Sequence, residues 1–106
     1  MEETIMELLV QAGSARSSAL SALRCARQGN FSQADSAMAE SHSAVKLAHA
    51  KQTELIGLDE GCGKLTVTLI TVHAQDHLMN AMVIQDLAQD LIELYRRLPV
   101  AVGEAQ

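Results

Sequence analysis

His73, Asp76, His77 and Asn80 follow one another at three- and four-residue steps in T-V-H-A-Q-D-H-L-M-N, residues 71–80. Residues so spaced lie along one side of any helix that carries them. Counted from Ile70, they fall at roughly 300°, 240°, 340° and 280° around the axis. That sector is read as part of the helix's broad apolar face, whose positions include Ile70, Ala74, Leu78, Ala81, Ile84, Ala88, Leu91 and Leu98. Placing polar groups in such a sector without partners costs roughly 1–3 kcal/mol each, and more for an ionised carboxylate. A lone histidine there is usually a hydrogen-bonded core residue. Two histidines and an aspartate within five residues point toward function. Three chemistries suit the group. Histidines at i and i+4 can share a metal, with Asp76 between them, although H-A-Q-D-H is not the H-E-x-x-H of a zinc peptidase. An imidazole nitrogen can take up a phosphoryl group and pass it on. A polar layer can also do no more than fix helix register, as in an adaptor bundle.

Long helices must position these residues. Punctuation falls at Gln28-Gly29-Asn30 and again over 57–63, with glycines at 57, 61 and 63, leaving segments 4–27, 32–56 and 65–98. The first carries Ile5, Leu8, Leu9, Ala12, Ala19, Leu23 and Ala26 at helical spacing. Gly29 suits the left-handed residue after a helix, and Asn30 with Gln33 predicts a capping box for the next one. The second segment carries Ala34, Met38, Val45, Ala48 and Leu55, with an unusually polar middle that includes Ser41, His42 and His49. Leu65-Thr66-Val67-Thr68-Leu69 alternates like a strand, but no other stretch offers it a ladder partner. The spacing from Ile70 to Leu98 therefore predicts a helix from near Thr66, stopped by Pro99. Three helices with short connections predict an all-α, antiparallel three-helix bundle.

The third segment's apolar positions spread over roughly 200° of the circumference, against about 100° for an ordinary surface helix. Two neighbouring helices do not cover so broad a face, which predicts burial in an oligomer.

Composition narrows the class further. The chain has 106 residues and reads as a single domain, 1–106, with 16 Ala, 14 Leu, 2% aromatic residues and one Pro. A net charge of -5 gives no footprint for nucleic acid. No apolar run reaches the roughly 18 residues of a membrane span, and the acidic N-terminus M-E-E-T is unlike a secretory signal, so a cytoplasmic protein without membrane insertion is expected. Cys25 and Cys62 match no metal or redox spacing and are expected to be free thiols.

V-H-A-Q-D-H-L-M-N-A-M at 72–82 resembles the signature of the lactose/cellobiose-type IIA component of the phosphoenolpyruvate-dependent sugar phosphotransferase system. M-E-L-L-V-Q-A-G-S-A-R-S at 6–17, A-R-Q-G-N-F-S-Q-A at 26–34, A-H-A-K-Q-T-E-L-I at 48–56 and D-L-A-Q-D-L-I-E-L-Y at 86–95 resemble the family's other blocks in order. The resemblance implies a homotrimer of nine helices. It implies that His73 is the phosphorylated residue, carrying the group on Nε2. The donor would be the general histidine phosphocarrier protein and the acceptor a cysteine of the sugar-specific IIB component, during uptake of a β-linked disaccharide through the IIC membrane component. Asp76 matches the position where three subunits share one divalent ion, magnesium. Gln75 and His77 are supporting candidates that would hydrogen-bond phosphoryl oxygens or a neighbouring subunit, and His49 would face the site. Two features depart from the family. Gly57-Leu58 stands where relatives carry polar residues, which predicts an early end to the second helix, and Cys62 has no counterpart. The tail 100–106 is expected to fray.

Overall fold

A computed structural model describes residues 1–99, and the tail expected to fray lies outside them. Three helices account for nearly all of the described chain: α1 (Glu2–Arg27), α2 (Phe31–Asp59) and α3 (Leu69–Arg97), with no strand among the described residues. They pack lengthwise into a rod 60 Å long and about 19 Å across. The all-α three-helix expectation holds, and the boundaries differ in instructive ways.

The α1–α2 joint closes as expected on Gly29, at φ 83°. The Gly29 N–H donates to the Ala26 carbonyl and the Asn30 N–H to the Cys25 carbonyl, the paired bonds that terminate a helix with a left-handed residue. This closure overturns the predicted capping box. It holds Asn30 at φ -89°, ψ 70°, away from the extended backbone that lets an N-cap side chain reach the first turn, and no side-chain cap forms.

The expected early end of α2 is also wrong. Gly57 remains helical, because glycine weakens a helix without breaking it, and α2 continues to Asp59. What stops it is Asp59 together with three positive-φ residues, Glu60, Gly61 and Gly63. The Asp59 carboxylate accepts the N–H groups of Gly63 (3.2 Å) and Leu65 (2.9 Å), while its carbonyl accepts those of Cys62 and Lys64.

Helix α3 begins at Leu69, three residues later than the spacing predicts. Thr68 and Thr71 form a reciprocal capping box: Thr71 N–H donates to Thr68 Oγ1 at 3.4 Å and Thr68 N–H to Thr71 Oγ1 at 2.9 Å. The β-branched run before it is non-helical connecting chain. Leu98 closes the far end and Pro99 follows, as expected.

The core is built largely of alanine. Eleven of the 17 buried apolar side chains are Ala, and Leu8, Leu78 and Ile92 are the large apolar ones with essentially no exposure. Small side chains let α1 approach both other helices closely. A buried polar layer divides the core in two. Gln85 Nε2 donates to Ser41 Oγ at 2.9 Å, and Ser41 Oγ donates to the Ala15 carbonyl at 2.7 Å, so one chain of bonds ties all three helices at one level. Helices α2 and α3 are joined at two further levels. Gln52 bonds to Gln75 toward one end, and Arg96 pairs with Asp35 toward the other, its guanidinium lying 4.9 Å above the Phe31 ring.

The broad apolar face of α3 resolves into two opposed stripes. Ala74, Leu78, Ala81, Ala88 and Ile92 point into the bundle. Val72, Met79, Val83, Leu87 and Leu94 point away from it, each more than half exposed. The bundle covers one stripe and leaves the other bare, as the excess apolar surface foretold.

Candidate functional site

The capping box fixes where α3 starts, and helical geometry then brings His73 and His77 side by side one turn apart. Their rings meet edge to face, centroids 4.3 Å apart at 85°, with Nε2 of one 3.0 Å from Nε2 of the other. At that distance one nitrogen donates a proton and the other accepts it on its lone pair. His73 is exposed and His77 half-buried, so the pair is open to solvent and to a docking macromolecule.

Asp76 lies on the outward stripe between Val72, Met79 and Val83, exposed and without an ion pair to any described residue. It is a hard oxygen donor of the kind magnesium prefers. It stands alone, however: among the described residues no three His, Cys, Asp or Glu side chains come together to hold a metal. The donor set suits a divalent ion only where Asp76 residues from several copies meet.

Gln75 is half-buried on the other flank of α3, roughly 160° around the axis from His73. Its Oε1 accepts a 2.6 Å hydrogen bond from Nε2 of Gln52 on α2. Within one chain it is therefore turned from the imidazole pair and tied to the neighbouring helix. His49 and His42 are exposed, and neither imidazole makes a hydrogen bond among the described residues, although the His49 carbonyl accepts from Thr53 Oγ1 at 3.0 Å. An apolar hollow of about 240 Å³ opens beside Gln75, lined by Leu55, Ile56, Leu65, Val67 and Val72.

Two features escaped sequence reasoning. The direct contact between the ring nitrogens follows from i and i+4 spacing only once rotamers are known. Gln52 carried a weak signal, its place in the block A-H-A-K-Q-T, but periodicity assigns a face and not a partner.

Comparison with known proteins adds independent findings. The family model for the lactose/cellobiose-specific IIA subunit of the phosphotransferase (PTS) system matches residues 3–96. The chain is 47% identical over 98 residues to the N,N'-diacetylchitobiose-specific EIIA component of Escherichia coli strain K12, an alignment covering 92% of this chain and 84% of that one. Its fold superposes on the crystal structure of the cellobiose-specific enzyme IIA from Bacillus anthracis with a TM-score of 0.86, 41% identity, and coverage of 91% and 88% of the two chains. It also matches the solution structure of the IIA(chitobiose)–HPr complex from the diacetylchitobiose branch of the Escherichia coli phosphotransferase system, at TM-score 0.78 and 46% identity, covering 91% of this chain and 93% of that one. Among the described residues no helix is long and apolar enough to cross a membrane.

Proposed function

Since this chain belongs to the lactose/cellobiose-specific IIA family of the phosphotransferase system, we propose that it is a cytoplasmic phosphocarrier in which His73 receives and donates the phosphoryl group. The observation that carries this reading is an exposed imidazole whose Nε2 is addressed by a second imidazole. With His77 donating its Nε2–H, His73 holds its own proton on Nδ1 and keeps a lone pair on Nε2. That lone pair forms a new N–P bond with the phosphohistidine of the general phosphocarrier, the partner of the chitobiose relative. The donor's N–P bond breaks and its electron pair returns to the donor ring. In the second step a cysteine thiolate of the IIB component forms an S–P bond, and the pair of the broken N–P bond returns to His73 Nε2. Each step exchanges one reactive phosphoryl linkage for another, so in-line positioning supplies much of the acceleration. As the phosphoryl group displaces the His77 contact, the His77 N–H is left to bond a phosphoryl oxygen.

The outward stripe of α3 supports self-association. Its occupant in this reading is the same stripe of two further copies, giving a nine-helix homotrimer with Asp76 at the axis. Three carboxylates there repel one another, and Asp76 from each copy would hold a magnesium ion, which supplies charge neutralisation. Helix geometry then sets the His73 flank of one α3 against the Gln75 flank of the next. The transported sugar is a β-linked disaccharide of the lactose, cellobiose or diacetylchitobiose type, in line with the relatives.

Incubation with phosphoenolpyruvate and the general phosphotransferase proteins is expected to add about 80 Da, the mass of one phosphoryl group, at His73 and none in His73→Ala. Absence of label on the wild type, or undiminished label on the variant, overturns the carrier reading. A non-catalytic adaptor or metal-binding bundle, by contrast, would keep its activity in His73→Ala or lose tight metal binding with it.

A further inference from the structure

Gln75 has one amide oxygen and two N–H groups to offer, and only the oxygen is committed. Its Oε1 is held by Gln52 Nε2 at 2.6 Å, and no described residue accepts from its Nε2. A glutamine amide unrestrained at both ends presents either face to its surroundings with little preference, because its two ends are nearly the same shape. A phosphoryl oxygen distinguishes them sharply: it is bonded by the N–H end and repelled by the carbonyl end.

We propose that Gln52 is a positioning residue for phosphoryl transfer, setting the amide of Gln75 so that its N–H groups face the phosphoryl group. The inference rests on the carrier and trimer reading above. There, the flank of α3 bearing Gln75 meets the flank of the neighbouring copy bearing His73. The Gln52 bond reaches Gln75 from the far side, from α2, so it does not compete with the phosphoryl group for the same atoms. Both glutamines are half-buried, which shields the bond from water, and the Gln75 amide N–H groups have no acceptor among the described residues.

The test exploits the sign of the bond. In Gln52→Glu the new carboxylate can only accept, so it draws the Gln75 N–H toward α2 and turns the carbonyl outward. In Gln52→Lys a donor is retained. Phosphorylation of the full chain by the phosphoenolpyruvate-driven proteins is expected to be about tenfold slower in Gln52→Glu, with a shorter phosphohistidine lifetime, and within about threefold of wild type in Gln52→Lys; about tenfold corresponds to one well-made hydrogen bond. Because Gln52 acts through Gln75, adding Gln52→Glu to Gln75→Leu should cause no further slowing. Equal slowing in both backgrounds reveals a plain charge effect and overturns the proposal, as does a Gln52→Glu rate within twofold of wild type. Should Gln52→Glu lose helical content, Gln52→Met in the same cycle decides instead: loss of rate only when Gln75 is present supports the role, and no loss overturns it. Failure to label the wild type removes the carrier reading and this inference together, whereas normal labelling of His73 with an indifferent Gln52→Glu removes this inference alone.

Discussion

Two imidazole nitrogens 3.0 Å apart pair well only when one donates and the other accepts, so the contact couples the tautomers of His73 and His77. In the proposed carrier reading, His77 is then more than a neighbour: it holds the orientation of the His73 ring. Replacing it by Phe keeps a ring of similar size and deletes the N–H. We expect about a tenfold fall in the rate of His73 labelling, the cost of roughly one hydrogen bond, with little change in thermal unfolding. Rapid-quench labelling measures the first and calorimetry the second; a wild-type rate in His77→Phe would reduce the contact to packing. The residues of this site were legible in the sequence as a group, because i and i+4 spacing places His73 and His77 on one side. Their chemistry was less so. Gln75 shares the same short motif yet faces another helix, since neighbouring positions on a helix lie about 100° apart.

At the level of the helices, boundaries were the least legible feature, and each miss has a local cause. A lone glycine at 57 was read as a stop when the real stop is Asp59, whose carboxylate and carbonyl together accept four backbone N–H groups of the following loop. Asn30 looked like a cap and is instead consumed in closing α1. Thr66 looked helical, but the competing Thr68–Thr71 capping box begins the helix later. In every case the deciding interaction is a side-chain or turn bond that hydrophobic periodicity does not encode. The central face of α1 was read largely well: Ile5, Leu8, Ala12, Ala19 and Ala26 are buried as the pattern predicts, while Leu9 and Leu23 are half-buried at its edges. Asp59 offers a measurable consequence. Asp59→Ala leaves the Gly63 and Leu65 N–H groups without their acceptor and should destabilise the protein by about 1–3 kcal/mol. Urea unfolding checks this, and an unchanged midpoint would show that water replaces the carboxylate at no cost. The loop lies next to the start of α3, so the same variant should also reduce amide-exchange protection at Leu69–Thr71.

On the scale of the molecule, the outward stripe of α3 sets a water-facing row of Val72, Met79, Val83, Leu87 and Leu94, each more than half exposed, along a rod only about 19 Å across. Sedimentation should therefore find a trimer at micromolar concentration, sensitive to EDTA, with Val83→Lys giving smaller species because three lysines would crowd the same axis. A wild-type monomer at that concentration overturns the assembly and with it the shared ion at Asp76. The alanine-rich interior carries a last implication. Side chains that are single methyl groups each remove little area from water, so a solitary subunit has a thin margin against unfolding. Thermal stability in such a case is bound up with mass action. Diluting the sample a hundredfold should lower its melting temperature by several degrees, and the gene's expression level would then set how much of the polypeptide survives folded as well as how much is made.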